Sequence, residues 1–163
     1  MRKGSGGKTP SVIRKREEGK CVMTDLDKLR QWLMTYPGWD GELQVDFVDP
    51  EPGNAGLFPE GLEETEHKED ILGNLQIFCR YRFVLYRQMA GQQDGTHNAQ
   101  WLLAFQNWVQ QQSAEGLAPQ FGDVPERERL QARSGALKKA DQVGTGTYTV
   151  TLIAEFMKVY EVK

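Results

Sequence analysis

The sequence predicts an α+β protein in two layers, a mostly antiparallel sheet of about four strands with two helices packed across one face. Three stretches carry this expectation. Residues 75–87, LQIFCRYRFVLYR, alternate so that Leu75, Ile77, Cys79, Tyr81, Phe83 and Leu85 share one side of an extended chain, while Arg80 and Arg82 fall on the other. At ~3.3 Å per residue this strand is roughly 40 Å long, about twice the usual length. Residues 147–162 repeat the pattern, with Tyr148, Val150, Leu152, Ala154 and Phe156 on one face. Between them, Leu102, Phe105, Trp108/Val109 and Gln112 recur at helical spacing, with Trp101 at the edge of the stripe.

In chain order, residues 1–22 come first and hold seven Lys or Arg against two Glu; this +5 leaves −8 on the remainder of a chain whose total is −3. Their Gly, Ser, Thr and Pro content describes a flexible basic leader, either a vector or upstream-start extension before Met23 or an arm for nucleic acid. Residues 23–163 are expected to form a single domain. At 39% hydrophobic, 10% aromatic and 26% charged residues, the composition is that of an ordinary soluble globular protein. No apolar run approaches the ~18 residues of a membrane span, and the N-terminus lacks the apolar stretch of a secretory signal, so cytosolic synthesis is expected.

The first helix is expected after Met23, capped by Thr24 or Asp25, with Leu26, Leu29, Leu33 and Tyr36 on one stripe and Pro37-Gly38 as its stop. Residues 42–48 alternate Leu43, Val45 and Phe47 against polar neighbours, the pattern of a half-buried strand. Residues 50–66 contain Pro52, Gly53, Gly56, Pro59 and Gly61, followed by Glu60, Glu63, Glu64 and Glu66. They read as an irregular arm or loop with Leu57, Phe58 and Leu62 to bury. The long strand follows over residues 71–88, with a break near Gly73. Residues 91–95 read as a loop, and Thr96 or Asn98 caps the second helix, ended by Gly116 and Pro119. Residues 117–130 give no clear pattern. Residues 131–140 and 147–162 read as two strands joined by a turn at 141–146.

Few residues offer chemistry. GSGGKT at residues 4–9 has the look of a phosphate-binding loop, but Arg2 stands where the motif needs its first Gly and no strand precedes it. Gly144-Thr145-Gly146 enters a strand and suits a hairpin turn. His67, among Glu63, Glu64, Glu66, Glu69 and Asp70, could join oxygen ligands around a metal, but no Cys or second His stands at ligand spacing. The cluster reads as solvated surface, and no metal or cofactor is expected. Cys21 and Cys79 read as free thiols, Cys79 on an inward strand position that does not promise a nucleophile. Ser113 and Ser134 lack a nucleophile-elbow context. Aromatics beside Arg80 and Arg82 suggest an RNA-binding sheet, but the glycine-aromatic pattern of that module is missing and the body is acidic. No catalytic residue emerges, and a binding or assembly role is the expectation.

The segments LRQWL, ETEHKEDILGN leading into QIFCRYRFVLYR, THNAQWLLAFQNWVQQQ, Leu-Ala-Pro at 117–119 and ARSGALKKADQVGTGTYTVTLIAEF together resemble the minor capsid or tail terminator proteins of long-tailed phages and prophages of Gram-positive bacteria. The resemblance covers residues 24–163. It implies a non-enzymatic virion protein, made in the host cytoplasm and residing at the head-tail junction. Such a protein forms a hexameric ring on the completed tail tube, stops tube polymerisation and meets the tube protein and the head-tail connector protein. Neither membrane nor specific nucleic acid belongs to that set of partners. On this reading Arg80 and Arg82 meet a neighbour's acidic surface around Glu63 and Glu64 within residues 60–70, and Phe58 is an apolar anchor. Rival readings are a head completion or connector component and a nucleic-acid-binding module using the basic leader.

Deleting residues 1–22 separates these classes. A ring former keeps its sedimentation behaviour after the deletion, whereas a nucleic-acid binder loses affinity in a filter-binding titration.

Overall fold

The structure, a computed structural model, describes residues 23–39, 41–48, 53–89, 96–140 and 146–162; the side chains of residues 96, 97 and 134–140 are outside that description. Helix α1 (Asp25–Leu33) opens on a capping box in which Thr24 accepts from the Asp27 amide and Asp27 reaches back to the Thr24 amide. Strands β1 (Leu43–Val45), β2 (Ala55–Glu69) and β3 (Leu75–Met89) follow, then α2 (Thr96–Ala114), a 3-10 turn at Pro125–Arg127, β4 (Arg129–Ala140) and β5 (Gly146–Tyr160).

The fold is α+β, with one five-stranded sheet in the order β1-β2-β3-β5-β4. β1 runs parallel to β2, and the other three pairings are antiparallel. The sheet is therefore mixed and has one more strand than expected. The additional strand is β2, most of it at residues 50–66, read from the sequence as an irregular arm or loop. Its breakers are placed where a strand tolerates them. Ala55 donates toward β1 and Leu57 accepts from it, so by alternation Pro59 points its missing donor at the free edge, where no ladder bond is lost. Gly61, at φ 127°, sits at the register shift that follows Pro59, and a second shift lies between Glu64 and Glu66. Gly56 is required for a different reason: a Cβ there would collide with the Phe47 carbonyl as the chain turns back along β1.

The alternation of β3 and β5 is realised as a 15-residue ladder without a shift, from Leu75 opposite Tyr160 to Met89 opposite Gly146. Its helix-side face supplies Phe83, Leu85, Val150, Leu152 and Phe156 to the core, where they meet Leu29, Trp32 and Leu33 of α1 and Leu102, Phe105 and Val109 of α2. An aromatic seam joins the helices. Trp32 stacks on Trp108 at 4.7 Å, Trp101 stacks on Phe105 at 5.4 Å, and Tyr36 lies between with its edges on Trp101 and Phe105. The expected strand at 42–48 shortens to β1 because Asp46 takes φ 59°, which turns the chain out of the ladder. The break near Gly73 is a turn: the Asp70 carboxylate accepts from the amides of Leu72 and Asn74, so the long strand starts at Leu75. The readings at residues 1–22, 91–95 and 141–145 lie outside the described residues.

Phe105 is fully buried at the helix seam, while Leu62 in β2 is 59% exposed. Phe105→Ala is expected to lower stability by about 3–5 kcal/mol in urea unfolding, and Leu62→Ala by less than about 0.5 kcal/mol.

Candidate functional site

The helices cover only part of so long a sheet. From Pro59 to Asp70 every residue of β2 and its turn is exposed. Pro59 and Leu62 lie beside Phe83 and Tyr81, which still meet the helices. The outer part of the stretch, with the paired start of β3, forms a β-arm beyond the helical layer. Its tip carries Ile71 and Leu72, which are 101% and 74% exposed. Tyr160 and Val162, at the end of β5, are exposed beside it, with the Val162 amide held by Asn74. Apolar side chains at such positions gain nothing from their own fold.

The arm's second face is the one opposite the helices, and it holds most of the residues singled out from sequence. Arg80 donates from Nη1 to Glu63 at 3.0 Å and from Nη2 to Glu155 at 3.2 Å, bridging β2, β3 and β5. Arg82 lies 4.0 Å from Glu60. Glu60, Leu62, Glu63, Arg80 and Arg82 line an open cleft of about 560 Å³. Lys68 sits over the Phe78 ring at 5.5 Å, and Phe58 packs edge-on against Tyr86 at 5.0 Å. Phe58, Phe78, Val84 and Tyr86 are half-buried, whereas Ile153, flanked in register by Arg82 and Gln131, is nearly enclosed. The structure thus brings Glu63, Arg80 and Arg82 together and sets Phe58 on the same face. Glu64 turns to the other face, where its Oε1 lies 2.9 Å from His67 Nδ1. The acidic partners anticipated on a neighbouring copy are present on the same chain. Exposed pairs of this kind contribute roughly 0.2–1 kcal/mol each, so they orient the arginines more than they stabilise the arm.

A second concave surface was not singled out from sequence. It runs along the outer edge of β4, a cleft of about 950 Å³ bounded by Gln106, Asn107 and Gln110 of α2 and lined by Arg127, Arg129 and Arg133 together with Glu126, Glu128 and Glu155. Sequence reasoning missed it because residues 117–130 show no period. The one available signal was the recurrence of Arg127, Arg129 and Arg133 at a spacing of two and four.

Titratable groups inside the fold serve structure. Tyr81 donates from its hydroxyl to Asp25 Oδ2 at 2.6 Å, tying β3 to the first turn of α1. Burial, then the hydrogen bond and the charge of Asp25, push its phenol from 10.0 up to about 12. Burial also raises the Cys79 thiol, which disfavours the thiolate a nucleophile needs. Buried Arg87 donates to the Gly53 carbonyl at 2.9 Å and lies against Trp101, 4.1 Å from the ring centre. Among the described residues no group of three or more His, Cys, Asp or Glu is arranged to hold a metal ion, and no described helix is long and apolar enough to cross a membrane.

Compared with known proteins, the chain matches no protein-family model and no curated sequence. The class defined by the structure itself is an α+β protein with a mixed five-stranded sheet and a projecting β-arm.

Because the folded state raises the Tyr81 pKa, its contribution to stability is complete below about pH 10 and is lost as pH rises toward about 12. Melting temperatures measured from pH 8 upward should fall through that window in the wild type, and less steeply in Tyr81→Phe, which has no phenol to ionise.

Proposed function

We propose that this chain is a structural virion protein, a tail terminator that closes into a ring at the head-proximal end of a long phage tail. In that role it stops tube polymerisation and joins the tail to the head. The observation that carries this reading is the β-arm, whose exposed apolar tip and charged faces are built at length yet serve no core. A segment held in one shape by a three-strand ladder and left uncovered is suited to a partner surface. The resemblance of residues 24–163 to tail terminators supplies the identity of the partners: further copies of the same chain, the tube protein and the connector protein.

The mechanism follows from geometry. Long strands give the arm stiffness, and the Arg80 bridge across β2, β3 and β5 holds the charged groups of that face in fixed positions. Ring closure needs one patch of a subunit to meet a different patch of the next. Complementary charge would then select the partner and speed encounter, while the apolar tip and Phe58 would supply desolvated contact.

The test is sedimentation of the purified protein at several concentrations, alone and with polymerised tail tube. A closed oligomer near six times the 18.5 kDa chain mass, or tubes capped at one end, is the expected result. A strict monomer that also leaves tube length unchanged would remove the reading. Ile71→Asp with Leu72→Asp at the tip should weaken association at least about tenfold without lowering the melting temperature, since both side chains are exposed.

A further inference from the structure

The two outer edges of the sheet carry opposite charge. Along β2 and its turn, residues 60–70 hold six Asp or Glu against Lys68 alone. Along the start of β4 and the turn before it, residues 126–133 hold Arg127, Arg129 and Arg133 against Glu126 and Glu128. Glu128 is already engaged, its carboxylate accepting the amides of Phe121 and Gly122 at 2.8 Å each. Among the described residues no carboxylate lies within ion-pair distance of Arg127, Arg129 or Arg133.

Both edges also have backbone to offer. β2 pairs with β1 only from Ala55 to Leu57, so from Phe58 to Glu69 its outer edge lacks a described neighbour strand. β4 is the last strand on the opposite side. The Leu130 amide points away from β5, since it donates to the Ser113 hydroxyl at 2.9 Å, and by alternation the amide and carbonyl of Ala132 face the same way. They open into the 950 Å³ cleft, whose other wall is formed by Gln106, Asn107 and Gln110 and whose lining includes Glu126, Glu128 and Glu155, the last of these paired with Arg80. Side-chain amides opposite a free strand edge can satisfy both donors and acceptors of an incoming extended backbone.

The geometry points to a second copy of this chain as the occupant of the β4 cleft, entering with its acidic β2 arm. This rests on the self-assembly reading above and specifies its interface. Acidic edge against acidic edge repels, as does basic against basic, so a symmetric pairing of like edges is disfavoured. Only the pairing of β2 with β4 is complementary, and it is heterologous: each copy offers an acidic arm on one side and, on the other, an edge whose three arginines have no described carboxylate within ion-pair distance. Repetition carries the sheet from one subunit to the next, and a closing rotation gives a ring. Pro59 and the two bulges confine the pairing to the outer part of the arm.

A charge exchange between two variants tests this. Glu64→Lys with Glu66→Lys makes the arm basic, and Arg129→Glu with Arg133→Glu makes the cleft acidic. All four side chains are exposed or half-exposed, so circular dichroism melting of each variant should match the wild type. Each variant alone should sediment as a monomer, with association weakened at least about a hundredfold, and an equimolar mixture should regain the wild-type oligomer, because each supplies what the other lacks. If both variants still assemble alone, the interface lies elsewhere and this inference falls while the ring reading stands. If the wild type never associates, both fall. Loss of DNA retention by the Arg variant at unchanged sedimentation would assign the basic edge to nucleic acid and overturn the proposal.

Discussion

The pairing of β3 with β5 is the constraint on which everything else depends. Fifteen residue pairs in unbroken antiparallel register fix both strands at about 50 Å, whereas α1, with nine residues, covers only about 14 Å and α2, with 19, about 28 Å. No arrangement of two such helices can roof a sheet of that length. The uncovered end is thus a consequence of strand length, and β2 extends with its partner because the antiparallel ladder with β3 offers paired backbone as far as Glu69.

The interruptions lie outside this central pair. Both register shifts in the β2–β3 pairing and both in β4–β5 belong to strands that form sheet edges over those stretches. Bulges, Pro59 and charge are means by which exposed edges avoid indiscriminate association. Here they have a second effect, since the two edges are defended by opposite charges and so refuse their own kind while remaining complementary to each other. The intrachain pairs of Arg80 with Glu63 and Glu155 sit on the face of the sheet, leaving Glu64 and Glu69 toward the arm's other face and rim.

What could be read from the residues followed burial. β3 and β5 were legible because one face of each meets the helices and the other does not, which writes a period of two into the chain. Both helices were legible from their stripes, and α1 also from its Thr24 cap, whereas Thr96 and Asn98, expected as caps, lie within α2. β2 was not, since a strand exposed on both faces over most of its length has no reason to alternate, and Gly56, Pro59 and Gly61 carry the composition of a loop while occupying a close approach, a free edge and a bulge. The same ambiguity hid the candidate site. Arg80 and Arg82 stood out against an apolar strand, but their pairing with Glu63 and Glu60 of the same chain depends on β2 lying alongside β3. The β4 cleft depends on where α2 crosses the sheet edge, which no local pattern encodes.

The central claim is that the outer edge of the β-arm is folded in the free chain and becomes covered by association. Residue-resolved hydrogen exchange on the free and the assembled protein tests it most directly. The outward-pointing amides of residues 60–69 should exchange rapidly in the free protein and become protected on assembly together with the Ala132 amide, while β3 and β5 stay protected throughout. Unchanged exchange along residues 60–69 in the assembled state would contradict it.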